Sequence, residues 1–110
     1  MTRGQSASPG STDTFGYDVE STLKCVVFCS DKRNLCSLVA EALEARVGPE
    51  DVCRLGDESL AVYSVAAPDE VRDWAAEVLE SGESVLVVEF ERWSGYGAGV
   101  DAAWLRKRGH

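Results

Sequence analysis

The 110-residue chain contains one histidine, His110, and it is the last residue. A Ser/His/Asp hydrolase or an imidazole-based metal centre needs a histidine held in place by a fold, so neither class is expected. Long apolar runs are also missing. No stretch approaches the roughly 18 residues that a membrane-spanning helix requires. Met1–Thr22 has neither the basic start nor the apolar centre of a signal peptide. Together these absences predict a cytoplasmic protein with no membrane association.

Positive charge is scarce as well. Eleven Lys and Arg stand against nineteen Asp and Glu, for a net charge of -8. Residues 1–22 carry -2 (Arg3 against Asp13, Asp18 and Glu20), Arg106, Lys107 and Arg108 carry +3, and the 83 residues between them therefore carry -9. A body that acidic repels phosphate backbones, which disfavours nucleic acid as a partner. The terminal basic cluster reads as solvated charge.

Four cysteines, Cys25, Cys29, Cys36 and Cys53, make an even count. With no secretion signal beside them, free thiols are expected rather than disulfides. No CxxC spacing bends two of them onto one ion, and Cys25 and Cys29 would lie roughly 13 Å apart along a strand. No metal and no cofactor is therefore expected. Cys25, Cys29 and Cys53 read as small core residues.

The leader MTRGQSASPGSTDTFGYDVEST, residues 1–22, is polar and predicts disorder, with Phe15 to Val19 its only apolar stretch. LKCVVFC then reads as a buried strand, and Ser30 or Asp31 as the cap of a helix. That helix has a stripe of Leu35, Leu38, Val39, Ala42, Leu43 and Val47, and Gly48 and Pro49 stop it. DVCRL and SLAVYSV flank a Gly-Asp turn and predict a hairpin. Pro68 opens a second helix with Val71, Trp74, Ala75, Val78 and Leu79 facing inward, ending at Gly82. SVLVVEFE reads as a last strand, half-exposed at Glu89 and Glu91.

The order βαββαβ over residues 23–92 predicts a ferredoxin-like α+β sandwich, a four-stranded antiparallel sheet with two helices on one face and the first and third strands central. Two helices leave the opposite face bare. The tail, residues 93–110, is rich in glycine and aromatics, and a short helix over Val100–Lys107 capped near Asp101 is expected to form part of the cover.

CVVFCSDKRNLCSLVAEAL, with its strand, loop and AEAL-containing helix, resembles the low-molecular-weight tyrosine phosphatases and arsenate reductases over about 20 of the 110 residues. The resemblance implies a cysteine nucleophile and an arginine six residues beyond it. Six beyond Cys29 is Leu35, six beyond Cys36 is Ala42, and Arg33 lies four beyond Cys29, so the chemistry does not follow. Cys36 in a first helical turn near Lys32 and Arg33 is the thiol best placed for reactivity. Asp31, an acid at the end of a first strand followed by basic residues, resembles the layout of the small CRISPR-associated nucleases and related toxin nucleases, which implies a metal-dependent nuclease. WSGYGAG carries no lysine and is not set between a strand and a well-capped helix in the order of a phosphate loop, so it reads as a flexible turn leading to a packed Trp.

The sequence thus predicts a non-catalytic binding protein, of adaptor, immunity, inhibitor or regulatory type, with a protein partner or a second copy of itself as ligand. Tyr63, Trp93, Tyr96 and Trp104 are the candidate anchors. Two alternatives stand beside it. One is an enzyme, a metal-dependent nuclease or a thiol enzyme, centred on Asp31, Arg33 and Cys36; the other is a small-molecule sensor using the open sheet face.

Overall fold

The structure is a computed structural model that describes residues 20–109. Most of the expected leader, residues 1–19, and His110 lie outside the described residues. Strand β1 (Thr22–Cys29) leads to helix α1 (Cys36–Val47), a 3-10 turn at Pro49–Asp51, strands β2 (Val52–Arg54) and β3 (Ser59–Ser64), helix α2 (Pro68–Ala76), strand β4 (Ser84–Phe90) and helix α3 (Ala102–Gly109). The fold is α+β. Its single four-stranded antiparallel sheet runs β2-β3-β1-β4, which puts β1 and β3 in the centre.

Alternation along β1 divides the sheet into two faces. Val26 and Phe28, with Leu60 and Val62 of β3 and Val52 of β2, bury against Val39, Ala40 and Leu43 of α1 and Val71 and Ala75 of α2. Val85 and Val87 of β4 and Trp74, Val78 and Leu79 pack around this core. Both α1 and α2 therefore cover one face. At roughly 1.5–3 kcal/mol for each fully buried aliphatic or aromatic side chain, this layer supplies most of the driving force for folding.

The cores of the predicted helices are present, but their ends and faces differ. Neither Ser30 nor Asp31 caps α1, because the Ser30 hydroxyl already accepts from the Lys32 and Arg33 amides at 3.1 and 3.3 Å. The helix starts later, and Asn34 Oδ1 accepts from the Cys36 amide at 2.8 Å. Its stripe is also rotated. Cys36 and Ala40 join Leu35, Val39 and Leu43 on the buried side, and Leu38 is exposed. Regular α2 ends at Ala76, six residues before the expected stop at Gly82. Tighter i to i+3 bonds at Glu77, Val78 and Leu79 carry the chain on.

The cysteines are all free, but their placement differs from the expectation. Cys36 is the buried one, Cys25 and Cys53 are partly buried and Cys29 is exposed. The reason is parity: Cys25, Cys29 and Cys53 point to the sheet face that α1 and α2 do not cover. No helix among the described residues is long and apolar enough to cross a membrane.

Candidate functional site

The helix-free face carries Leu23, Cys25, Val27 and Cys29 from β1, Ser59, Ala61 and Tyr63 from β3, Leu86, Val88 and Phe90 from β4, and Cys53 from β2. Half of it is closed by the chain's own tail. Leu105 of α3 buries against Leu23 and Ala61, with Cys53, Leu55, Tyr63, Phe90, Trp93, Val100 and Trp104 packed around them. Asp101 Oδ1 accepts from the Trp104 amide at 3.0 Å and starts α3, two residues after the expected helix start. Trp104 Nε1 donates to the Glu50 carbonyl at 2.9 Å, and the Arg108 guanidinium stacks over the Trp104 ring at 4.3 Å while pairing with Asp51 at 3.1 Å.

The other half is open. Val27 (41 % exposed) pairs with Leu86 (60 %), and beside them Val88 (46 %) pairs with the partly buried Cys25. These four side chains form an aliphatic block two strands wide, about 10 Å across, continued by exposed Cys29. The block borders β4, a free edge of the sheet. With seven residues, β4 has no proline or lysine, and its one charged residue, Glu89, falls on the helix-side parity opposite Lys24. Of the four candidate aromatics, Tyr63, Trp93 and Trp104 belong to the tail-covered cluster, and Tyr96 alone stands free at 99 % exposure.

The Asp31–Cys36 corner is a different kind of place. Arg33 forks onto Glu83, with Nε and Nη2 donating to its two carboxylate oxygens at 2.7 Å each, and Nη2 also donates to the Val78 carbonyl at 2.9 Å. Ser30 donates to the same carboxylate at 2.8 Å. The Glu83 side chain is only 2 % exposed. The Arg33 hydrogen bond, together with those from the Glu80 amide and Ser30, holds its carboxyl down to about 2. Arg33 thus closes the corner against Glu83 and the Val78 carbonyl.

Cys36 is buried, with its Sγ 3.4 Å from the Gly56 carbonyl, and Asp31 is exposed. Among the described residues no cluster of three or more His, Cys, Asp or Glu stands where a metal ion would need it. A cleft of about 260 Å³ lies beside the corner, lined by Cys29, Ser30, Arg33, Asn34, Asp57 and Glu58 among others. Asp31 and Cys36 do not line it, so the cleft does not bring the three candidate residues together.

The pair has a pH signature. Because the Glu83 carboxyl sits at about 2 in the folded chain and an unfolded glutamate near about 4.3, its contribution is present above the unfolded value and lost as pH falls toward 2. Glu83→Gln is expected to flatten that part of the acid-unfolding curve. Chemical denaturation of both proteins between about pH 5 and 2 checks this, and parallel curves would show that the pair plays no part in acid stability.

Sequence reasoning missed Lys24. On β1 it shares the parity of Val26 and Phe28, and it is completely buried on the helix side. Its Nζ donates to the Ser64 carbonyl at 2.7 Å, the Thr22 carbonyl at 3.2 Å and Ser64 Oγ at 3.4 Å. Burial lowers its pKa, partly offset by the carboxylates of Glu89 and Glu70. Between the lowered folded value and the unfolded value the unfolded chain holds more protons, so wild-type stability rises with pH through that window. Relative to Lys24→Met, the wild type is expected to gain stability on moving from neutral to alkaline pH. A pH-independent difference between the two in urea melts would refute this.

Comparison with protein-family models, curated proteins and solved structures finds no significant match to this chain. The functional reading therefore rests on the residues themselves.

Proposed function

We propose that this chain is a small non-catalytic binding protein of adaptor, inhibitor or regulatory type that works in the cytoplasm through the open half of its helix-free sheet face. Its ligand is a protein, either a second copy or a different chain. The observation that carries this reading is the exposed aliphatic block of Val27, Leu86 and Val88 lying on and beside the edge strand β4. Contiguous exposed apolar surface of this kind is characteristic of interaction sites.

The strand order with β1 and β3 central, and α1 and α2 together on one face, supports reading the domain as a ferredoxin-like βαββαβ sandwich to which α3 is appended. In this reading Tyr63, Trp93 and Trp104 shape the working face by covering half of it, and Tyr96 adds a free aromatic contact. The acidic body makes a nucleic-acid ligand a poor fit.

A catalytic role centred on Asp31, Arg33 and Cys36 has less to support it. The arginine is bound to Glu83 and the thiol is buried. The deciding experiment compares two single changes in a cell-based or reconstituted assay of the protein's effect. Leu86→Lys is expected to abolish the effect and Asp31→Asn to leave it intact, and the reverse pattern would replace the binding reading with the enzymatic one.

A further inference from the structure

We propose that α3 and the strap leading to it, residues 92–109, form a detachable cover that opens as a unit while the helix-side core stays folded. Opening would extend the exposed block on the sheet face across Leu23, Ala61 and Tyr63. The proposal deepens the open-face reading and rests on it for its consequence. The opening itself is measurable with no partner present, so the two fail separately.

The first argument is the separation of two cores. Among the described residues, thirteen buried ones make up the cluster under α1 and α2, against three under the tail, where α3 supplies buried Leu105 and partly buried Trp104. Local opening free energy follows the apolar surface that opening returns to water, so the tail belongs at the low-stability end of the molecule. The second is length. α3 has eight residues, and a helix shorter than roughly 12 is marginal in water without packing. Once Leu105 lifts, little keeps the segment helical.

The third argument is where the cover is tied. Its polar anchors converge on the turn at Pro49–Asp51: Trp104 Nε1 and Arg108 Nη2 both donate to the Glu50 carbonyl, at 2.9 and 2.6 Å, and Arg108 Nε donates to Asp51. All of these groups regain water when the cover lifts, so they oppose opening only weakly. Trp93 Nε1 favours it. This buried N–H has no hydrogen-bond partner among the described residues and would gain water on opening. Within the strap, Gly97 holds a φ of +106° and a side chain at Gly95 would stand 2.7 Å from Val100 Cγ1, so this turn packs on the cover's own residues and belongs to the unit that lifts.

Native-state hydrogen exchange on the full chain tests this at low urea, reading α3 amides against α1 amides. The expected result is α3 amides that are protected yet exchange at least ~100-fold faster than those of α1, with a shallow urea dependence. Leu105→Ala should speed exchange in α3 by a further ~10-fold or more while leaving α1 unchanged. Exchange of α3 at the α1 rate with the same urea slope would overturn the proposal. So would α3 amides with no protection at all, or a Leu105→Ala effect of equal size in α1.

Discussion

Leu43→Ala is expected to lower the stability of the whole domain by about 2–5 kcal/mol. Leu43 is fully buried, in the middle of α1, where the helix meets Val26, Leu60 and Val62 of the central strands. Truncation removes the transfer free energy of three carbons and leaves a cavity. The neighbours on the sheet side are held by ladder pairing and cannot collapse into it. For a domain of this size this is a large share of the total, so a fraction of the molecules would unfold near 37 °C. Urea melts followed by tryptophan fluorescence and by far-ultraviolet circular dichroism would read it. A loss below about 1 kcal/mol would mean that α1 is not seated on the central strands as described.

The paired change Leu86→Lys with Val88→Lys is expected to do the opposite: leave stability nearly unchanged and remove binding. Both side chains are exposed on the helix-free face, so their replacement costs within about 0.5 kcal/mol each. Two ammonium groups on the aliphatic block would leave unpaired charge in any interface that forms there, and a lysine on β4 also blunts the free edge. Self-association in sedimentation experiments, and binding to any identified partner, should weaken by at least ~30-fold, the equivalent of a central anchor lost. Unchanged association with unchanged stability would exclude the open half-face as the working surface.

Much of the architecture was legible in the chain because it is written in periodicity. The short apolar run LKCVVFC, the three- and four-residue steps of α1 and the proline and glycine punctuation at Gly48, Pro49 and Pro68 are local signals, and they located the elements; that one face of the first strand stays partly exposed was not among them. The element ends were less legible. The start of α1 depends on which side-chain oxygen is free to cap it, and the Ser30 oxygen was taken by the Lys32 and Arg33 amides while its proton held it to Glu83, 53 residues away. That Cys36 and Ala40 face inward and Leu38 outward likewise depends on how the helix sits on the sheet.

The candidate site was less legible still. Lys24 carries a signal that was available, since it shares the parity of Val26 and Phe28 and so had to face the core. Arg33 carries none, because its partner Glu83 lies in a distant turn. Trp93 and Trp104 were visible as aromatics in a glycine-rich tail, but composition does not say whether such residues meet a partner or fold back on their own sheet.

By itself the sequence determined that two helices and four strands form, in what order, and that two helices alone would leave one sheet face bare. Hydrophobic period and turn chemistry act over a few residues and need no knowledge of neighbours. Only the tertiary structure decided how much of that face stays bare, because this depends on α3 returning across the sheet to Glu50 and Asp51 and burying Leu105 over Leu23 and Ala61. Contacts between residues more than 50 positions apart are set by the shape of the assembled sheet, which no local pattern encodes.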